Sequence, residues 1–340
     1  MENELIKHMI YLQRYGSGLN KEVTPTLKKL RKELYEKVAL ATLFELARIK
    51  GFLKEIDLLV DGKIEVIKPK IIESMQQLGE YESTFATKLL DNSIIASVTL
   101  GTTISPEIIT TMLSTAKISL DNKPPMTIDE LIGVFSDRIK TDVKATIQSG
   151  LLTGTDTLTI AKSIKDLTDT RTMQQAKALI LTVANFVGNE SRVKVWEDNG
   201  DLLQGLEHVS VLDNRTTANI CGVRDGALWD FKGEGLNAKG KMYPFKRPPL
   251  HYGCRSILVP KIKAEYDLGI DTTRAMQGGT TSSSTTYSDW LKKQPKSVID
   301  NILGVKKSEL FRSGKLTLDS FVDSKGNTLT LEELKKKDML

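Results

Sequence analysis

Residues Thr127–Ile147 read TIDELIGVFSDRIKTDVKATI, and this stretch sets the character of the first two thirds of the chain. Thr127 followed three residues later by Glu130 is a capping box, a local signal for a helix amino terminus. Behind it Leu131, Phe135, Ile139, Val143 and Ile147 recur at helical spacing and predict one buried stripe. Pro124-Pro125 breaks the chain just upstream, and Gly150 and Gly154 punctuate the end. Downstream, helices are expected over Thr157–Leu167 and Arg171–Glu197, the second with Leu179, Val183, Phe186, Val193 and Trp196 on its inner face. No proline occurs between Met126 and Tyr243, which suits this run. Upstream, Thr24-Pro25 reads as a cap and first turn. Leu27, Leu30, Leu34, Val38, Ala41, Glu45 and Leu46 then carry a helix to about Leu59, roughly 50 Å long at 1.5 Å per residue. Pro69 opens a second helix through Leu90, and Ser105-Pro106-Glu107 a short third.

At Asp198 the texture changes. Asn199-Gly200-Asp201 is a turn signal, and Leu206–Leu212 (LEHVSVL) alternates as a strand does. Glycines and prolines then crowd the chain up to a short apolar strand, Ser256–Val259. Gln277–Thr286 (QGGTTSSSTT) has the composition of a flexible linker. The tail resumes with Trp290, a helix after Pro295, a turn at Asp323–Gly326 and a capping box at Thr330–Glu333. The expected fold is therefore mainly α with a small α+β module. It divides into a helical region (1–198), a compact loop-rich module (199–264), a linker (265–286) and a small helical tail (287–340).

With 340 residues, 40% hydrophobic and 27% charged, the composition is that of an ordinary globular protein, and 6% aromatics imply an aliphatic core. No apolar run approaches the roughly 18 residues of a membrane span. The charged amino terminus has no signal-peptide hydrophobic region. Two cysteines exclude a disulfide scaffold, so a cytosol-like compartment is expected. The net charge of +5 is modest, but Gly235–Ala264 holds seven basic residues and no acid. These are Lys239, Lys241, Lys246, Arg247, Arg255, Lys261 and Lys263, interleaved with Tyr243, Phe245 and Tyr252. Such a segment is either a solvated basic loop or a phosphate-contacting strip.

Both cysteines and two of the three histidines fall between positions 208 and 254. Zinc takes four N, S or O ligands in a tetrahedron. His251-x2-Cys254 has the spacing for two of them, Cys221 could add a third, and His208 or Asp213 a fourth. The same residue types admit a cysteine nucleophile, Cys221, with His251 as base and Asp213 as orienting carboxylate. No phosphate-binding glycine loop or dinucleotide fingerprint occurs. Asp213-Asn-Arg215 suits a side-chain-to-backbone turn, in which the Arg215 fork either meets a carboxylate or phosphate or clamps Asp213 internally to hold the loop module together.

Taken in order, Asp213-x-Arg215-Thr216, Cys221, Arg224-Asp225-Gly226 and Arg247-Pro-Pro-Leu-His251-x2-Cys254-Arg255 resemble the phage Mu F-like minor head proteins, the head morphogenesis proteins of tailed bacteriophages. The resemblance covers roughly Asn185–Pro260. It implies a compact Mu F-like domain and a structural, non-enzymatic head component acting near the portal vertex. The implied partners are the portal, other head proteins and packaged double-stranded DNA, with no membrane and no small-molecule substrate. The implied location is the virion, after assembly in the host cytoplasm. It also implies a zinc site at Cys221, His251 and Cys254. Thr217 and Ser256 stand where many relatives place further cysteines. Two other functions compete with that expectation: a cysteine-dependent hydrolase or effector using Cys221 and His251, and a general nucleic-acid-binding module.

Overall fold

Buried apolar residues recur every three or four positions from Leu5 to Val38, and that stripe sustains a longer helix than the sequence suggests. In the computed structural model, which describes residues 2–42, 48–95, 100–101, 104–121, 123–269, 273–323 and 327–337, helix α1 spans Glu2–Ala39. Pro25 lies inside α1, and Pro69 lies inside α2 (Ile49–Asp91). Both were expected to begin helices. Each sits on the exposed side, as does Lys21, whose carbonyl a Pro25 amide would otherwise engage. Water can satisfy a carbonyl there, so the proline costs little of the packing that holds the helix. The single helix expected over 24–59 is thus the end of α1 and the start of α2, and Glu45 and Leu46 lie outside the described residues.

Later elements follow the local signals closely. Helix α3 is Pro106–Thr115, and α4 is Ile128–Leu152 with both hydrogen bonds of the Thr127–Glu130 capping box formed. Helix α5 spans Thr157–Leu167; a π-helical turn, Thr168–Thr172, joins it to α6, Met173–Asp198. From Ala178 to Glu197 helix α6 has no exposed residue: Thr182, Asn185, Asn189 and Arg192 are as inaccessible as Val183 and Phe186. It is the central rod of the fold. At its middle the Glu82 carboxylate of α2, fully buried, accepts from His8 of α1 at 2.7 Å and from Arg192 of α6. Full burial of leucines such as Leu30 and Leu34 adds roughly 1.5–3 kcal/mol each.

Strand β1 (Leu203–Val209) is the middle of an antiparallel three-stranded sheet, between β2 (Leu228–Trp229) and β3 (Ile257–Ile262). His208 lies opposite Leu258, and Leu206 opposite both Trp229 and Pro260. Leu203, Leu206, Val209, Ile257 and Ile262 join the helical core. A second core forms from the loops after β1 together with the tail, including Leu212, Val223, Trp229, Tyr287, Trp290 and Phe311. Short helix α7 (Ala238–Met242) lies between β2 and β3, and α8 (Tyr287–Lys292), α9 (Lys296–Leu303), α10 (Val305–Arg312) and α11 (Leu331–Lys336) form the tail.

The stretch expected as a linker is instead part of a hairpin, β4 (Thr273–Met276) with β5 (Gly279–Ser282). Gln277 and Gly278 form its turn, where Gly278 takes φ 88°, a conformation open to glycine. Its anchor is Arg274, which is buried and donates to Asp225 from both Nη1 (3.0 Å) and Nη2 (2.6 Å). A composition rich in Ser, Thr and Gly reports solubility; one buried ion pair overrides it. Of the tail turn at Asp323–Gly326, residues 324–326 lie outside the described residues.

Asp225→Ala is expected to leave Arg274 as an uncompensated buried charge and to cost about 3–5 kcal/mol. Urea unfolding of the two proteins side by side checks this, and a loss below about 1 kcal/mol would contradict it.

Candidate metal centre

Cys221, His251 and Cys254 converge: one ligand atom from each lies within 4.8 Å of the other two. Cys221 sits at the end of a tight turn in which its amide and that of Gly222 both bond to the Thr217 carbonyl, at 2.9 and 3.1 Å. Its own carbonyl accepts from Ser210 Oγ at 2.9 Å. Gly222 is required there, because a Cβ would stand 2.4 Å from the Tyr287 ring.

His251 and Cys254 are brought together by a turn in which the Cys254 amide bonds to the His251 carbonyl at 3.1 Å. Gly253 closes it at φ 71°. Helix α6 holds this turn from below. Thr182 Oγ1 accepts from the Gly253 amide at 2.9 Å, and Asn185 Nδ2 donates to the Cys254 carbonyl at 2.8 Å. Asn189 Oδ1 accepts from the Leu258 amide at 3.1 Å, fixing the start of β3.

Cys221 Sγ lies 3.3 Å from His251 Nε2 and 3.6 Å from Cys254 Sγ. Ligands at about 2.3 Å (S) and 2.0 Å (N) from a tetrahedral ion stand about 3.5–3.8 Å apart, so these two edges are near the size an ion needs. His251 Nδ1 is 3.0 Å from the Tyr252 carbonyl, which can only accept. The proton is thereby assigned to Nδ1 and the Nε2 lone pair to the cluster, the arrangement of a metal-ligating imidazole. Both thiols are buried with Leu250 in a small apolar cluster, whereas His251 is half-buried and is the member that solvent reaches.

The two thiols differ. Cys221 is pushed up, first by its hydrogen bond to Cys254 and then by burial. For Cys254 burial acts in the same sense, but the Cys221 hydrogen bond, the neighbouring His251 and backbone donors outweigh it and bring it down. One thiol of the pair is therefore ready to ionise. The donor set can hold a metal ion.

The other expected ligands lie elsewhere. Asp213 is engaged by Arg255 in a bidentate pair at 2.6 and 2.8 Å. Burial raises its carboxyl, but Arg255 and the Arg215 amide outweigh it and hold it low. It neither joins the cluster nor orients His251. The Asx turn at Asp213 is present, with Arg215 N donating at 3.0 Å, but the guanidinium in the clamp belongs to Arg255 rather than Arg215. His208 is fully buried on β1, and neither ring nitrogen has a hydrogen-bond partner among the described residues.

The basic strip is largely engaged within the chain. Arg247 pairs with Glu190 at 2.8 Å and with Glu197, and Lys246 faces Asp121 at 3.8 Å. Lys239 and Lys263 donate to the carbonyls of Asp225 (2.9 Å) and Asp201 (2.5 Å). Lys261 lies near Glu207, and Lys241 is exposed.

Sequence reasoning missed Thr182, Asn185 and Asn189. Their signal was polar residues three and four apart on a helix face flanked by Leu179, Val183, Phe186 and Val193. A larger correction concerns function: a non-enzymatic, purely structural head protein was expected. A buried, convergent Cys–His–Cys set is a centre of the catalytic or metal-binding kind, and it fits the Cys/His-dependent alternative better than an inert capsid part.

Burial drops the His208 imidazole to about 3, against an unfolded value of about 6.5. Acid therefore protonates the unfolded chain first. The stability at stake is whole above pH 6.5 and falls toward pH 3 with a slope of up to about 1.4 kcal/mol per pH unit. His208→Leu should lose that slope; unfolding curves between about pH 6.5 and 4 check it, and parallel curves would refute it.

The chain matches no protein-family model, no curated protein and no solved structure.

Proposed function

We propose that Cys221, His251 and Cys254 bind a zinc ion and that the centre serves a hydrolytic reaction. The observation that carries this reading is the convergence of the three ligand atoms within 4.8 Å, from segments some thirty residues apart. Two thiolates and an imidazole are a donor set suited to zinc and ill suited to calcium or magnesium, which take oxygen. Three protein ligands leave a fourth position, as catalytic zinc sites do and closed structural sites do not. When bound, the ion supplies Lewis acidity and lowers the pKa of water.

This chain's own residues do the positioning. The Tyr252 carbonyl fixes the His251 tautomer. Asn185 and Thr182 hold the 251–254 turn, and Ser210 holds the Cys221 backbone. Leu250 and Ile220 keep water from the thiol side, leaving the His251 side as the approach. A second reading, a metal-free thiol hydrolase, is favoured by the readiness of one thiol to ionise beside an imidazole. The burial of both sulfurs opposes it, since a nucleophile must meet its substrate.

Metal analysis of the purified full-length chain is expected to find close to one zinc per molecule. His251→Ala and Cys254→Ser should each reduce that at least about tenfold. Hydrolysis of a panel of carboxylic and phosphate esters should stop with a chelator and return with zinc. Metal-free protein that still hydrolyses, with thiols alkylated equally fast with and without chelator, would establish the thiol mechanism instead. Protein inert toward the whole panel both with zinc added and with chelator would refute both readings.

A further inference from the structure

Helix α1 carries Lys7, Arg14, Lys21 and Lys28 at a strict seven-residue interval, all exposed. The first three line one wall of a cleft of about 750 Å³ between α1 and the loops that follow β1. Arg215 stands on the opposite wall. None of these five side chains has an ion-pair or hydrogen-bond partner among the described residues. The acid lining the cleft is Asp213, and its charge is already engaged by Arg255. Between the cations the cleft is apolar: Ile10 is 56% exposed on α1, and Met276 faces it from β4. Lys28 carries the stripe into a neighbouring surface groove beside Lys162 and Lys165. The row is about 31 Å long at 1.5 Å per residue.

We propose that this cleft docks an acidic amphipathic helix of a partner protein, its carboxylates at seven-residue intervals against Lys7, Arg14, Lys21 and Lys28 and its apolar side chains on Ile10 and Met276. Three observations select this occupant. A stripe with a period of seven drifts around a straight α-helix in the left-handed sense, and a helix wound alongside it keeps its own heptad positions in step. The apolar floor between the charges matches an amphipathic face. Among the described residues no aromatic side chain lines the cleft, so a single nucleic-acid strand would find no surface there on which to stack its bases. The inference goes beyond the hydrolytic reading and does not rest on it.

The test uses the full-length protein and a fluorescent synthetic helix of roughly 21 residues with Glu at every seventh position beside a Leu stripe. A scrambled peptide of the same composition and an oligothymidylate serve as competitors. Anisotropy titrations at about 0.1 M salt should show the patterned peptide binding at least about tenfold more tightly than either competitor, and markedly less well at about 0.5 M. Combined K7E, R14E and K21E should abolish the preference while leaving the circular dichroism spectrum unchanged. R215E, on the far wall, should weaken binding independently, and it carries the test if the triple variant fails to fold. C221S should bind as the parent does, which separates this cleft from the metal centre. Equal binding of patterned and scrambled peptides, tighter binding of the oligothymidylate, or indifference to R215E would each overturn the proposal.

Discussion

A single buried carboxylate ties together parts of the chain that have no other reason to meet. Asp225 accepts from the Ser210 amide at the end of β1 (2.7 Å), from both terminal nitrogens of Arg274 on β4, and from the Tyr287 amide at the start of α8 (2.6 Å). It is fully inaccessible to solvent, so none of these bonds is diluted by competing water. The Cys–His–Cys cluster inherits that order. Ser210, positioned through its amide, holds the Cys221 carbonyl through its hydroxyl, and Tyr287, positioned likewise, packs on Gly222. One acidic side chain thus sets the place of Cys221 without touching it.

The other half of the centre depends on α6. Three polar side chains on one face of this helix hold the backbone of the 251–254 turn and the start of β3. Because α6 is also the middle of the helical core and meets Glu82 through Arg192, His251 and Cys254 are referenced to the bundle, whereas Cys221 is referenced to the loops and tail. The three side chains of the cluster meet where two frameworks are pressed together.

Some of this was legible in the residues and some was not. Capping boxes at Thr127 and Thr330 need only four consecutive residues, and both form. Pro25 and Pro69 misled because a proline at a helix start and one on the wet side of a long helix look alike until the burial of the preceding turn is known. The Gly/Ser/Thr stretch around 277 gave no sign of the hairpin, since its anchor, Arg274, finds a partner 49 residues away. Cys221, His251 and Cys254 stood out by residue type and by resemblance, but spacing left His208 and Asp213 as equal candidates. The two were separated by long-range pairing: Asp213 by Arg255, 42 residues on, and His208 by its place inside the sheet.

The strands of the small sheet have different owners. β1 and β3 give apolar side chains to the helical core, while Trp229 of β2 belongs to the core shared with the tail. A segment cut out at the apparent boundaries of 199 and 264 would therefore be raw in two places, exposing the leucines and isoleucines of β1 and β3 and the tryptophan of β2. It would be sticky rather than soluble, and its affinity for other molecules would report the wound rather than the protein. The unit that can be inherited, transplanted or studied whole is the entire arrangement of helices, sheet and tail.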